Sequence, residues 1–162
     1  MKNPIASMAV MLLAAAAAIP ASADEAPLES RLEVVNVIQG DDGESLKPAE
    51  RIAPGAVLQY SLDYKNASEE AFEAFTILGP IPENTEFLPE TQTADRRSVF
   101  EAKVEGLDWA QPPVTRYETD AEGILRSVEV PASQYTAVRW RLAEPLAPGD
   151  SASAAYRVRV AD

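Results

Sequence analysis

The side chains able to do chemistry in this chain are few in kind. It has no histidine and no cysteine, so the usual proton shuttle, the thiol nucleophile and imidazole or thiolate metal sites are absent, and a serine-histidine triad cannot be built. Carboxylates remain, 26 of them. Two suitably spaced acids can hydrolyse glycosides, but acids this numerous form pairs by chance, and none stands out. The residues therefore read as a non-enzymatic protein without a cofactor. Asp41, Asp42 and Glu44 lie in the glycine-flanked turn Gly40-Asp41-Asp42-Gly43-Glu44-Ser45. Such an oxygen-rich turn suits calcium, although its spacing is not that of an EF-hand loop and a solvated turn uses the same residues. Arg139, Arg141, Arg157 and Arg159 alternate with apolar residues near the end of the chain. If the last two strands pair, four guanidinium groups share one face. That face then needs an acid among them, such as Glu73, or docks an acidic protein or an anionic envelope polymer. Trp109 sits between Glu105-Gly106-Leu107-Asp108 and Ala110-Gln111-Pro112-Pro113, a loop setting. There it is either a binding residue or a lid folded over the end of the domain.

These residues must be positioned by extended segments, because alternation with a period of two dominates the chain. Leu58, Tyr60, Leu62 and Tyr64 fall on one face of residues 57–65, with Gln59, Ser61, Asp63 and Lys65 on the other. Val138, Trp140 and Leu142 alternate with Arg139 and Arg141, and Ala154, Tyr156, Val158 and Val160 with Ala155, Arg157 and Arg159. Weaker strands are expected over residues 32–38, 72–78, 85–88, 99–104, 114–119 and 125–130. Ser68 to Glu73 is the one helix-like stretch beyond the N-terminal segment. Turn residues separate the strands at 40–43, 53–55, 65–68, 120–123 and 147–150. Gly79-Pro80-Ile81-Pro82-Glu83-Asn84 reads as a strand end and a reversal: the prolines suit an edge, and Gly79 and Asn84 tolerate left-handed backbone. Asn66-Ala67-Ser68 matches a glycosylation sequon but reads as turn chemistry.

Residues 1–23 have the parts of a secretory signal: Lys2, the apolar run from Ile5 to Ile19, and Ala21-Ser22-Ala23 as a cleavage site. Residues 24–30 are acidic and read as a flexible leader, and residues 31–162 as one domain. No membrane span is expected after cleavage, and the destination is the periplasm or the exterior. The net charge of −12 repels nucleic acid and anionic lipid headgroups. Short strands with proline and glycine turns argue for a single antiparallel, immunoglobulin-like β-sandwich of about seven to nine strands.

The stretch from Pro54 to Pro89, with its Pro-Gly turn, Tyr64-Lys65-Asn66 and Pro82-Glu83-Asn84-Thr85-Glu86-Phe87, resembles a bacterial conserved-repeat domain, domain of unknown function 11. Val138 to Val160 is similar to that family's closing part, where a tryptophan strand leads through a Pro-Gly turn into an aromatic-containing strand. The resemblance implies an immunoglobulin-like sandwich in exported envelope proteins and implies no catalytic residues. An interaction or structural module is the leading expectation. A calcium-dependent or carbohydrate-binding domain, or a subunit accepting a partner's strand at a sheet edge, are the alternatives.

Overall fold

The computed structural model describes residues 27–161; the expected signal, the first residues of the expected leader and Asp162 lie outside that range. The described chain is all β apart from one 3-10 turn, Ala132–Gln134. Its strands are β1 (Leu28–Gly40), β2 (Gly43–Pro48), β3 (Val57–Asn66), β4 (Thr76–Pro80), β5 (Thr85–Phe87), β6 (Thr93–Ala94), β7 (Ser98–Val104), β8 (Thr115–Thr119), β9 (Leu125–Glu129), β10 (Tyr135–Leu142) and β11 (Ser151–Val160). The larger sheet has the order β2-β1-β3-β11-β5, with β6 also on β11, and the smaller has the order β4-β10-β7. All their pairings are antiparallel. Strands β8 and β9 form a separate hairpin.

Alternation decides which side chains the two layers share. Leu58 and Leu62 of β3, Val138 and Trp140 of β10, and Ala154, Tyr156 and Val158 of β11 are all buried in one core. Tyr156 ties the layers together: its ring lies 5.3 Å from Tyr60 in its own sheet and 6.0 Å from Trp140 in the other. Burial of the hydroxyl pushes its ionisation well above the usual range for tyrosine. The hydroxyl is not orphaned, because it donates to the Pro80 carbonyl.

Aromatic contacts also fix which strand lies over which. Phe100 of β7 meets Phe87 of β5, Trp140 of β10 meets Tyr156 of β11, and Phe75 at the start of β4 meets Tyr64 of β3. The smaller sheet is used up at that point. Among the described residues, no strand lies over β1 or β2.

Several expectations need correcting. Leu28 to Ser30, read as the end of a loose leader, pair with Asn66 to Tyr64 as the start of β1. Ser68 to Glu73 is not helical; it is an irregular connection in which Phe72 bridges Leu146. Asn84 adopts left-handed backbone (φ 59°), but Gly79 does not. Gly79 is needed for space, since a Cβ there would stand 2.6 Å from the Tyr156 ring. Among the described residues the two layers hold nine strands, within the expected seven to nine, and the β8–β9 hairpin adds two more; β2, which carries no apolar alternation, and the two-residue β6 are the unexpected ones.

Candidate functional site

The structure separates the four arginines. β10 and β11 belong to different sheets, so Arg139 and Arg141 lie on the outer face of the smaller sheet and Arg157 and Arg159 on the outer face of the larger. Their outward phase was readable because period-two alternation exposes every second residue whichever sheet a strand joins. The partner strand was not readable.

On the smaller sheet, one carboxylate serves both guanidinium groups. Glu101 Oε2 accepts from Arg139 Nε at 2.8 Å and Arg141 Nε at 2.7 Å, and Oε1 accepts from Arg141 Nη2 at 3.3 Å. Register makes this possible, because Glu101 on β7 sits directly opposite Arg139 on β10. The acid between the arginines is thus Glu101, and not Glu73. Trp109 completes the cluster. Ala110 pairs with Ala102 on the outer edge of β7, folding the loop back so that Arg139 stacks 4.5 Å from the Trp109 ring centre. The loop tryptophan therefore covers an arginine within its own molecule.

The Arg141 hydrogen bond, followed by Arg139, holds Glu101 below the usual carboxylate range against the opposing effect of burial. A lowered folded-state value means that the stabilisation is complete above the unfolded value and is lost as pH falls through the folded one. Glu101→Gln should therefore be less stable than the wild type near neutrality, with the gap closing as pH falls from about 6 to about 3. Urea unfolding at several pH values measures this, and a constant gap would refute the pairing.

On the larger sheet, Arg157 closes a second clasp. Its Nη1 and Nη2 donate to Glu44 at 2.7 and 2.6 Å, and its Nε donates to Gln59 at 3.0 Å. Gln39 also donates to Glu44, at 3.0 Å. The clasp joins β2, β1, β3 and β11 on the outer face that also carries Val37, which is buried there apart from the main core. Glu44, foremost through its bond from Arg157, is held below the usual range. Asp41 and Asp42 are exposed at the hairpin tip, while the Glu44 carboxylate is taken up by Arg157. Among the described residues no group of three or more acids is placed to hold a metal. Arg159 is exposed and lies opposite Glu86 of β5.

The features that the sequence did not reveal are surfaces. The β8–β9 hairpin is rooted by the buried pair Val114 and Val130 but exposes Tyr117, Ile124 and Leu125. An open cleft of about 780 Å³ at the end of the sandwich is lined by residues including Ile81, Glu83, Glu105, Arg116 and Tyr135. Its one arginine is already occupied by Glu118 and Gln134.

The third surface is the side left open by the unequal layers. Leu28, Ser30, Leu32 and Val34 of β1 point to the core side, as their partners Asn66, Tyr64, Leu62 and Tyr60 do, yet Leu32 is 56 % exposed. The β2–β3 connection, whose Ala49 packs against the core, meets this face at Asn36, whose Nδ2 donates to the Arg51 carbonyl at 3.2 Å. Beside the open stretch runs the outer edge of β4. The Leu142 N–H donates to Phe75 C=O at 3.0 Å and the Ile81 N–H to Thr136 C=O at 3.1 Å, so odd-numbered residues face β10. Thr76 and Leu78 consequently turn both N–H and C=O outward. Pro80, in the same phase, has no N–H to leave unpaired.

No family model matches the chain, and no curated protein matches it. Among the described residues no helix is long and apolar enough to cross a membrane.

Proposed function

We propose that this chain is an exported, non-catalytic interaction module of the bacterial envelope, periplasmic or released, and that it binds through the open side of its sandwich. The signal-like N-terminus and the resemblance to envelope repeat domains support export. The observation that carries the choice of surface is that, among the described residues, no strand covers β1, which leaves Leu32 half exposed beside the outward-facing backbone of Thr76 and Leu78. The arginines favour this surface indirectly. Arg139, Arg141 and Arg157 are engaged by Glu101 and Glu44, so they serve the fold before any acidic partner or anionic polymer.

Co-isolation from envelope extract with two variants tests the choice. Leu32→Glu combined with Leu78→Glu changes two exposed positions and should abolish partner recovery, while Arg139→Gln combined with Arg141→Gln should retain it. The reverse pattern would move the binding surface to the arginine face.

A further inference from the structure

We infer that the open side takes an extended strand from another protein, added to the outer edge of β4, apolar where it crosses Leu32 and basic where it meets Glu69, Glu70 and Glu73. The inference rests on the reading above and names the occupant. Three observations specify it. First, along Leu28 to Val34 the vacancy is one strand wide: the smaller sheet ends over β3, β1 is the next strand beneath, and β2 pairs with β1 only from Val35 onward. A strand beside β4 would lie about 4.8 Å away in the plane of the smaller sheet and about 10 Å above β1. Second, the edge offers what a strand needs, namely the N–H and C=O groups of Thr76 and Leu78.

The other outer edge gives a contrast. β2 carries Lys47 and ends in Pro48, two devices that discourage edge pairing. β4 also ends in a proline, Pro80, but it carries no charge at all in Thr76-Ile77-Leu78-Gly79-Pro80. Leu78 adds an exposed apolar side chain to the edge itself.

Third, the charges select the partner. Glu69, Glu70 and Glu73 are exposed on the connection that leads into β4, at the end of the open stretch nearest Leu28, while the other end is bounded by Arg51. A second copy of this chain would bring another net charge of −12 and a β4 edge without basic residues, so pairing of two β4 edges is opposed. Antiparallel pairing is the more stable arrangement; it places the C-terminal end of the incoming strand beside Glu73.

The test uses a short acetylated peptide alternating valine and threonine, with lysines at its C-terminal end. Controls carry glutamates in place of the lysines, or the lysines at the N-terminal end. Amide exchange is followed residue by residue. The lysine peptide should slow exchange at Thr76 and Leu78 about tenfold or more, and the glutamate version should not. Leu78→Pro removes one outward donor without touching the ladder to β10 and should weaken binding about fivefold. Leu32→Glu, at an exposed site, provides a second variant should the proline perturb folding, and it should weaken binding as well.

Perturbation at Leu32 without protection of Thr76 and Leu78 would overturn the strand inference while sparing the surface. No binding by any peptide up to about millimolar concentration, with neither residue affected, would count against both. Protection of both amides in a concentration-dependent dimer, without peptide, would replace the partner with a second copy.

Discussion

Asn66→Ala is expected to destabilise the protein by about 3 kcal/mol, the largest loss from any single polar substitution considered for this fold. Asn66 is completely buried at the end of β3, and its side chain uses its full capacity for hydrogen bonding. Nδ2 donates to Glu70 C=O at 2.7 Å and Leu146 C=O at 2.9 Å, while Oδ1 accepts from the Ser68 N–H at 2.9 Å and the Ser68 hydroxyl at 2.6 Å. Its backbone adds bonds to Asp150 and Gly149. One residue thereby fastens the β3–β4 connection to the β10–β11 connection and holds Glu69 to Glu73 at the end of the open side. Alanine leaves the Ser68 N–H without its acceptor and takes one donor each from Glu70 and Leu146.

Asn66→Asp separates hydrogen bonding from shape. A carboxylate can still accept from Ser68, but its second oxygen then faces the Glu70 and Leu146 carbonyls. Burial raises the pKa of such a group in the folded state, so the variant is relatively most stable at low pH and loses stability as pH rises above about 4 toward the raised value. Thermal unfolding across pH measures both variants. A loss below about 1 kcal/mol for alanine, or a pH-independent loss for aspartate, would show that the network does not anchor the loops. The Asn66-Ala67-Ser68 sequon has the same explanation, because both donor positions of the amide nitrogen are occupied inside the protein.

Gly79→Ala is the second large effect, about 2 kcal/mol, and its cause is space. The added Cβ would lie 2.6 Å from Tyr156 Cε1 and 3.1 Å from Val138 Cγ2. Neither neighbour can yield cheaply. Tyr156 is stacked on Tyr60, packed against Trp140 and hydrogen-bonded to Pro80, and Val138 is fully buried on β10. Gly106 gives the control: no heavy atom within 4 Å would meet its Cβ, but its φ of 77° disfavours a side chain. Alanine there should cost about 1 kcal/mol through the backbone alone. Urea unfolding of the two variants ranks them, and a Gly79→Ala protein no less stable than Gly106→Ala would mean that β4 does not press on Tyr156.

The core was legible in the sequence because burial in a sheet is written locally. Tyr60, Trp140 and Tyr156, each in phase with apolar neighbours two positions away, do share one interior. The turn residues between strands were also legible, including Asn84 and the run from Asp120 to Gly123, where the Ile124 N–H donates to Asp120 at 2.8 Å. Neighbour choice was not legible. Arg139 and Arg157 have the same outward phase, and only long-range pairing sends one to Glu101 and the other to Glu44. Leu32 sits in an apolar run that reads as buried; its exposure results from the smaller sheet ending at β4. Pro80 carried the one local hint, since a proline in that phase belongs on an outer edge.

Of its two edges, β4 pairs one with β10 and leaves the other open. Amide exchange of the free protein tests it at four consecutive residues. Protection should alternate, with Ile77 and Gly79 slow and Thr76 and Leu78 fast. Uniform protection along Thr76 to Gly79 would mean that the edge is already occupied, and the open side would cease to be a binding surface.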